Sequence, residues 1–264
     1  MQSQGNTPIG ILGGKGLLGS DLVSFLSQDY KVEIITKENY KEKRNIYYKV
    51  LINANGNNKR FWANQYPFED FFASTTSVYQ SIFDFHCDIY IYISSPDVYK
   101  NHTNSKYTKE NEKIDSRNLN NYGFHKYLAE LIVQRYKGKF LILRHSMILG
   151  TNLKKGPIYD IIHNNPLFIS HRSRLQFITT RAIAEIIKIL LENFVTSDII
   201  NIGGIGTFTF TKIRKYFDKE IKILPEAETQ IYEMNVEKTR SLYPNLKTSE
   251  EYLQEFLKDY KDNF

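Results

Sequence analysis

The sequence predicts an α/β fold: a doubly wound parallel sheet, shortened after its second strand, followed by a smaller C-terminal lobe. Three observations carry this. Short apolar runs alternate with helical stretches through the first 150 residues, and the first run opens into the loop Gly13-Gly14-Lys15-Gly16-Leu17-Leu18-Gly19. Far downstream, Ser95 and then Tyr122-Gly123-Phe124-His125-Lys126 place polar chemistry where a strand ends and a helix begins.

Pro8-Ile9-Gly10-Ile11-Leu12 reads as a buried strand entering the glycine loop, after which Leu18, Leu22, Phe25 and Leu26 recur at helical spacing. Residues 31–36 give a second strand, and Val50-Leu51-Ile52-Asn53 a further one ending in Asn53-Ala54-Asn55-Gly56. Only 34 positions separate Gly19 from Asn53, room for one strand and one short helix, so the usual third strand is expected to be lost or vestigial. Phe71, Val78, Ile82 and Phe85 predict a long helix over 70–85, and Ile89-Tyr90-Ile91-Tyr92-Ile93 reads as a strand buried on both faces with Ser94 and Ser95 at its carboxyl end. A polar loop over 100–121, a helix over 122–136 and the strand Phe140-Leu141-Ile142-Leu143 complete the alternation.

After Gly150 the pattern weakens to a basic turn Lys154-Lys155-Gly156-Pro157, a strand-like Leu175-Gln176-Phe177-Ile178, a helix over 182–193 and Ile199-Ile200-Asn201-Ile202. Thr248 with Glu251 three residues on has the form of a capping box opening a last helix through Phe256 and Leu257. The division expected is a dinucleotide-binding domain over 1–150 and, over 151–264, mainly a substrate-binding lobe, with about 182–202 returning to the main sheet.

Thirty-five basic against 29 acidic residues give a net charge of +6, spread along the chain rather than gathered into a tail. Nucleic acid is therefore not an expected partner, whereas a small polyphosphate ligand suits the charge. The single cysteine, Cys87, excludes an internal disulfide and reads as a small core residue. No run approaches 18 apolar residues, so no membrane span is expected, and the absence of a basic-then-apolar start points to a cytoplasmic setting.

Glycines 13, 16 and 19 between a strand and a helix let the backbone turn tightly and approach a pyrophosphate, whose charge the helix N-terminus stabilises. A carboxylate at the end of the second strand would bind the ribose hydroxyls of NAD; this strand ends Thr36-Lys37, with no acid, and Lys15 sits in the loop. Lys15 and Lys37 thus favour a 2′-phosphate, so NADP(H) is the preferred cofactor and NAD(H) the possible one. Tyr122 and Lys126, four apart on a helix, share one face. A free phenol with a pKa of about 10 is a poor neutral-pH catalyst, and a nearby ammonium is expected to bring it down. Ser95 would hydrogen-bond the substrate oxygen while the cofactor exchanges hydride at carbon, and Lys126 would also hold the nicotinamide ribose.

With these residues in place the chain resembles the extended short-chain dehydrogenase/reductases, particularly the nucleotide-sugar epimerases, dehydratases and reductases. The matching pieces are the glycine loop, Asn53-Ala54-Asn55-Gly56, Ser94-Ser95-Pro96-Asp97-Val98-Tyr99, Tyr122-Gly123-Phe124-His125-Lys126 and Leu143-Arg144 with Gly150; the likeness continues loosely through Arg174-Leu175-Gln176-Phe177-Ile178. The resemblance implies a Rossmann-like domain, a nicotinamide cofactor and a nucleoside-diphosphate sugar held by the C-terminal lobe. It makes Ser95, Tyr122 and Lys126 the catalytic residues. Cofactor contacts are implied for Gly13, Lys15, Gly16, Leu17, Leu18, Gly19, Lys37, Asn53, Asn55, Gly56 and Ser94, together with Tyr122 and Lys126. Ser95, Asp97 and Arg174 are implied on the substrate, Arg174 or Arg144 gripping its pyrophosphate. Relatives often pair through the tyrosine-bearing helix, which makes a homodimer possible.

Departures narrow the chemistry. Pro96 stands where sugar 4,6-dehydratases carry the first of an acidic pair, and Asp97 where reductases that also epimerise carbons 3 and 5 carry cysteine. The function expected is NADPH-dependent reduction of a 4-keto-6-deoxy nucleoside-diphosphate sugar, with Tyr122 as proton donor. The alternatives are a 4-epimerase with tightly held NAD and a non-catalytic NADP-binding sensor or scaffold. His125 and His145 lack metal-spaced partners, and no metal is expected.

Overall fold

Uninterrupted apolar runs make the strands, and the turn chemistry between them decides where each helix starts. The computed structural model describes residues 8–57, 59–217 and 220–262. β1 (Ile9–Leu12), buried throughout, leads through the glycine loop into α1 (Leu17–Leu26), followed by β2 (Val32–Ile35) and β3 (Tyr47–Asn53). Residues 36–46 between them form turns and no strand, so the third strand is absent as expected. The helix predicted over 70–85 is present: α3 (Pro67–Phe71), opened by its proline, continues without a gap through a π-helical turn Phe72–Thr76 into α4 (Ser77–Asp84), and the short α2 (Arg60–Gln65) precedes it. β4 (His86–Ser94), α5 (Asn121–Tyr136) and β5 (Phe140–His145) close the first half.

In the second half β6 (Met147–Leu149), α6 (Pro157–Ile162), β7 (Leu167–Ile169), β8 (Arg174–Leu175) and β9 (Phe177–Thr179) precede α7 (Thr180–Glu192) and β10 (Asp198–Ile202). β11 (Phe208–Thr209), β12 (Ile223–Glu228), β13 (Ile231–Tyr232), α8 (Glu237–Leu242) and α9 (Ser249–Asp262) follow. The main sheet has the order β10-β5-β4-β3-β1-β2, every pair parallel. The chain leaves β2 at one edge and re-enters on the far side of β1 as β3, and such a reversal leaves a crevice beyond the strand carboxyl ends.

On one face of the sheet Leu22 and Leu26 of α1 pack with Ile183 and Ile187 of α7; on the other, Val78 and Ile82 of α4 pack with Ala129 and Val133 of α5. A separate core of Phe177, Phe208, Phe210, Leu253 and Phe256 fills the C-terminal region. The two halves are tied by a buried carboxylate: Asp21 of α1 accepts from the Thr151 backbone N–H (2.9 Å) and hydroxyl (2.6 Å) and from the Thr180 hydroxyl (2.7 Å). Among the described residues no helix is long and apolar enough to cross a membrane.

Candidate active site

β1 delivers the chain into Gly13 at φ +79°, the left-handed region that side chains disfavour, and a Cβ there would stand 2.9 Å from the Ala54 carbonyl oxygen. Gly19 packs against the same turn, where a Cβ would meet the Gly13 carbonyl oxygen at 2.2 Å. Gly16 caps α1 without a side-chain acceptor, which leaves first-turn N–H groups to a ligand. From this point runs a cleft of about 1180 Å³, lined by Gly13, Lys15, Gly16, Leu17 and Leu18 at one end and by Gln176, Tyr232 and Met234 at the other. That is more room than the roughly 300–1,000 Å³ of one small-ligand site. A glycine cradle on an open helix N-terminus fits a dinucleotide pyrophosphate, and the remaining space accommodates a second ligand.

Because the third strand is missing, the 36–46 turn carries Thr36, Lys37, Glu38, Lys41 and Arg44 to the cleft wall. A carboxylate does stand at this end. Glu38, three residues beyond β2, pairs with Lys15 at 3.3 Å, and its carboxyl is held down at about 2, first by a hydrogen bond from the Thr36 side chain and then by its own backbone and Lys15. Arg44 is committed to Asp84 at 3.2 Å.

The stretch of cleft wall that carries Ser95, Tyr122 and Lys126 is built by two short turns. Ser95 follows β4 and caps the 3₁₀ turn Pro96–Val98: the Asp97 N–H donates to Ser95 Oγ (3.2 Å), and Ser95 Oγ donates to Asp97 Oδ2 (3.1 Å). Asn120 caps α5 by accepting from the Gly123 N–H at 2.9 Å, which sets Tyr122 in the first turn and Lys126 in the next. A Cβ on Gly123 would lie 2.1 Å from the Asp97 carbonyl oxygen, so only glycine lets α5 come close enough to bring Tyr122 beside Ser95. Ser95, Asp97, Tyr122 and Lys126 all line the cleft.

The electrostatics differ from the sequence expectation. Burial, and after it the Asp97 charge, push the Tyr122 phenol well above its ordinary value, against which a hydrogen bond with Ser95 works. Lys126, buried, is brought down to about 8 by desolvation despite Asp70 and Glu130. Its Nζ donates to the Ile93 carbonyl at 3.3 Å and lies 5.3 Å from the Tyr92 ring centre. The expected lowering of Tyr122 by Lys126 is thus overridden: the phenol is moved up rather than down.

Several expected contacts are elsewhere. Asn53 faces the core, donating to the Tyr90 hydroxyl (2.8 Å) and Ser81 (3.3 Å) while its Oδ1 accepts from the Asn55 N–H (3.0 Å); Asn55 and Gly56 themselves line the cleft. Ser94 points inward and donates to Glu130. Arg144 lies in the core rather than on a pyrophosphate, donating to Glu130 through Nε (3.0 Å) and NH2 (2.6 Å) and to the Tyr99 hydroxyl through NH1 (2.8 Å). Arg174 is exposed and does not line the cleft; strand alternation turns Leu175 inward in its place. His125 is buried on Asp70 (2.6 Å), and His145 lines the cleft with its imidazole held down at about 4 by burial. Among the described residues no His, Cys, Asp and Glu group could hold a metal ion.

Sequence reading missed Arg60 and Tyr232. Arg60 NH2 meets Asp97 Oδ1 at 3.0 Å, the Tyr232 hydroxyl approaches the same oxygen at 3.4 Å, and the guanidinium lies 4.9 Å from the Tyr232 ring centre. No motif marks either residue, and only the fold brings them to Asp97.

No family model and no curated protein sequence matches the chain. Solved structures do. A UDP-N-acetylglucosamine 4-epimerase from Methanobrevibacter ruminantium M1, in complex with UDP-N-acetylmuramic acid, superposes with a TM-score of 0.79 at 16% identity, covering 98% of this chain and 100% of that one. A dTDP-4-dehydrorhamnose reductase from Bacillus anthracis str. Ames, in complex with NADP, gives 0.79 at 16% identity over 96% and 98% of the two chains. A UDP-glucuronic acid 4-epimerase from Bacillus cereus, in complex with UDP-glucuronic acid and NAD, gives 0.76 at 16% over 96% and 99%. The glycine cradle, the strand order and these superpositions agree: over nearly its whole length the chain has the fold of the NAD(P)-dependent nucleotide-sugar epimerases and reductases, that of the extended short-chain dehydrogenase/reductases.

Proposed function

We propose that the chain is an extended short-chain dehydrogenase/reductase that reduces a 4-keto-6-deoxy nucleoside-diphosphate sugar with NADPH. The observation that carries this reading is the placement of Tyr122: buried in the cleft wall with Ser95 and Lys126, and with its phenol pushed up by burial and Asp97, it is set to give a proton rather than to take one. Reduction needs the phenol form, because the new alkoxide must be protonated. A 4-epimerase starts by taking a proton from a sugar hydroxyl, which needs the phenolate that this environment disfavours.

Gly13, Gly16 and the first turn of α1 would hold the dinucleotide pyrophosphate, and Lys126 its nicotinamide ribose. When bound, the cofactor supplies hydride to the carbonyl carbon. Ser95 positions the carbonyl oxygen and Tyr122 protonates it, while Gln176, Tyr232 and Met234 form the wall toward the sugar nucleotide. Incubated with NADPH and dTDP- or GDP-linked 4-keto-6-deoxy sugars, the protein should oxidise one NADPH per ketone lost. Interconversion of two nucleotide hexoses without net cofactor oxidation would instead establish the epimerase.

Lys37 and Lys41, which line the cleft beside the exposed Lys15–Glu38 pair, support NADPH over NADH. Lys37→Glu should lower the ratio of kcat/KM for NADPH to that for NADH about tenfold, as for the loss of one charge-assisted hydrogen bond. An unchanged ratio would move the 2′-phosphate contact elsewhere.

Lys126 sets the alkaline limb. Its ammonium is held below about pH 8 and lost above it, so kcat/KM should fall as the pH rises through that value. Lys126→Arg, which stays charged, should show no such fall whatever its maximum; a parallel decline in both proteins would assign the limb to another group.

A further inference from the structure

Among the described residues three buried side-chain atoms have no hydrogen-bond partner: Arg60 Nε, Tyr92 Oη and Ser146 Oγ. Arg60 and Ser146 line the cleft, and Tyr92 does not. Leaving a buried donor unsatisfied forfeits its hydration with nothing in return, so two such atoms on one cleft point to a ligand that meets both.

Both groups are held rigidly. Arg60 is fixed by Asp97 (3.0 Å) and by the Tyr232 face, and Tyr232 is itself stacked on His102 at 3.9 Å. Asp97 also holds Ser95, so Arg60 and Ser95 are fixed on the two oxygens of one carboxylate. Ser146 sits at the carboxyl end of β5, its N–H donating to the Ile202 carbonyl at 2.8 Å and its hydroxyl close against Gly203. Asp97 already balances the guanidinium charge, which leaves Arg60 suited to a neutral oxygen rather than a second anion.

Resting on the reductase reading above, we infer that Arg60 and Ser146 recognise the sugar itself. Arg60 Nε–H donates to a hydroxyl or acyl oxygen on a ring carbon beside the ketone, and the Ser146 hydroxyl bonds a second ring oxygen. The substrate is then a keto sugar that keeps oxygen substituents next to its carbonyl and carries no carboxylate there.

The test measures binding without turnover, in the Tyr122→Phe protein with NADP⁺, which carries no hydride to transfer, in place of NADPH. Calorimetry compares dTDP with dTDP-4-keto-6-deoxyglucose, and in a parallel arm GDP with GDP-4-keto-6-deoxymannose. In whichever arm binds, the sugar should add affinity over the diphosphate. Arg60→Lys, which keeps a cation for Asp97, should cut that increment about tenfold, and Ser146→Ala, which removes no hydrogen bond within the protein, severalfold, both leaving the bare diphosphate and the melting temperature unchanged. If the parent binds diphosphate and sugar nucleotide but the variants leave their ratio untouched, or weaken both ligands equally, the inference fails and the reductase reading stands. If the parent binds neither pair, both fall.

Discussion

Tyr122→Phe is expected to fold, melt at the parent temperature and bind NADPH, yet to turn over 4-keto sugar nucleotides on the order of 10²- to 10⁴-fold more slowly, the range of a positioned general acid. The substitution removes one oxygen from a buried ring and leaves the aromatic volume in place. Among the described residues Ser95 is the side-chain hydrogen-bond partner of the phenol, so little structural compensation is needed. The lost group is the one that hands a proton to the oxygen as hydride reaches carbon. Stopped-flow or steady-state NADPH oxidation measures the rate, and thermal melting with and without cofactor separates catalysis from folding. Unchanged turnover of every accepted sugar nucleotide would remove Tyr122 from the mechanism.

Arg144→Met should produce the largest loss of stability, about 3–5 kcal/mol, because it strands a buried carboxylate. Glu130 is fully buried, and its oxygens are met by Arg144 and Ser94; Arg144 also donates to Tyr99, whose hydroxyl in turn donates to Asn201 Oδ1 at 2.8 Å. For a chain of this size that loss corresponds to a fall in melting temperature on the order of 10 °C. Replacing both partners, Arg144→Met with Glu130→Leu, should recover much of it, since an apolar pair of similar volume leaves no uncompensated charge. Activity should follow stability, because Glu130 is on the same helix as Tyr122 and Lys126. A melting temperature within about 2 °C of the parent in the single variant would show that water reaches Glu130 and solvates it.

Much of the main sheet was legible because its signals are local. The apolar runs at 9–12, 89–93 and 140–143 became β1, β4 and β5, and Gly13 and Gly19 have identities that the turn's own backbone demands. The missing strand could be read from the short distance between Gly19 and Asn53. The helix over 70–85 was legible, but the π turn at 72–76 within it was not, because apolar spacing carries no mark of a change in hydrogen-bond register. Two-residue strands such as β8 were also beyond reach, since alternation over so short a stretch carries almost no signal; Arg174, implied on the substrate by the resemblance, lies outside the cleft, next to Leu175 and Gln176 that do line it.

At the site the division follows the range of the interaction. Sequence alone determined that a strand ends at Ser95, that Tyr122 and Lys126 share a helix face, and that a glycine turn precedes α1, because each is fixed by residues within one turn or one strand of it. Tertiary structure alone decided that Arg144 serves the core, that Glu38 folds back onto Lys15, that Arg60 reaches Asp97 from 37 positions away, and that Tyr122 is raised rather than lowered. Partner choice and desolvation depend on which surfaces the whole chain brings together and how much water it removes, and neither quantity is written in any short stretch of residues.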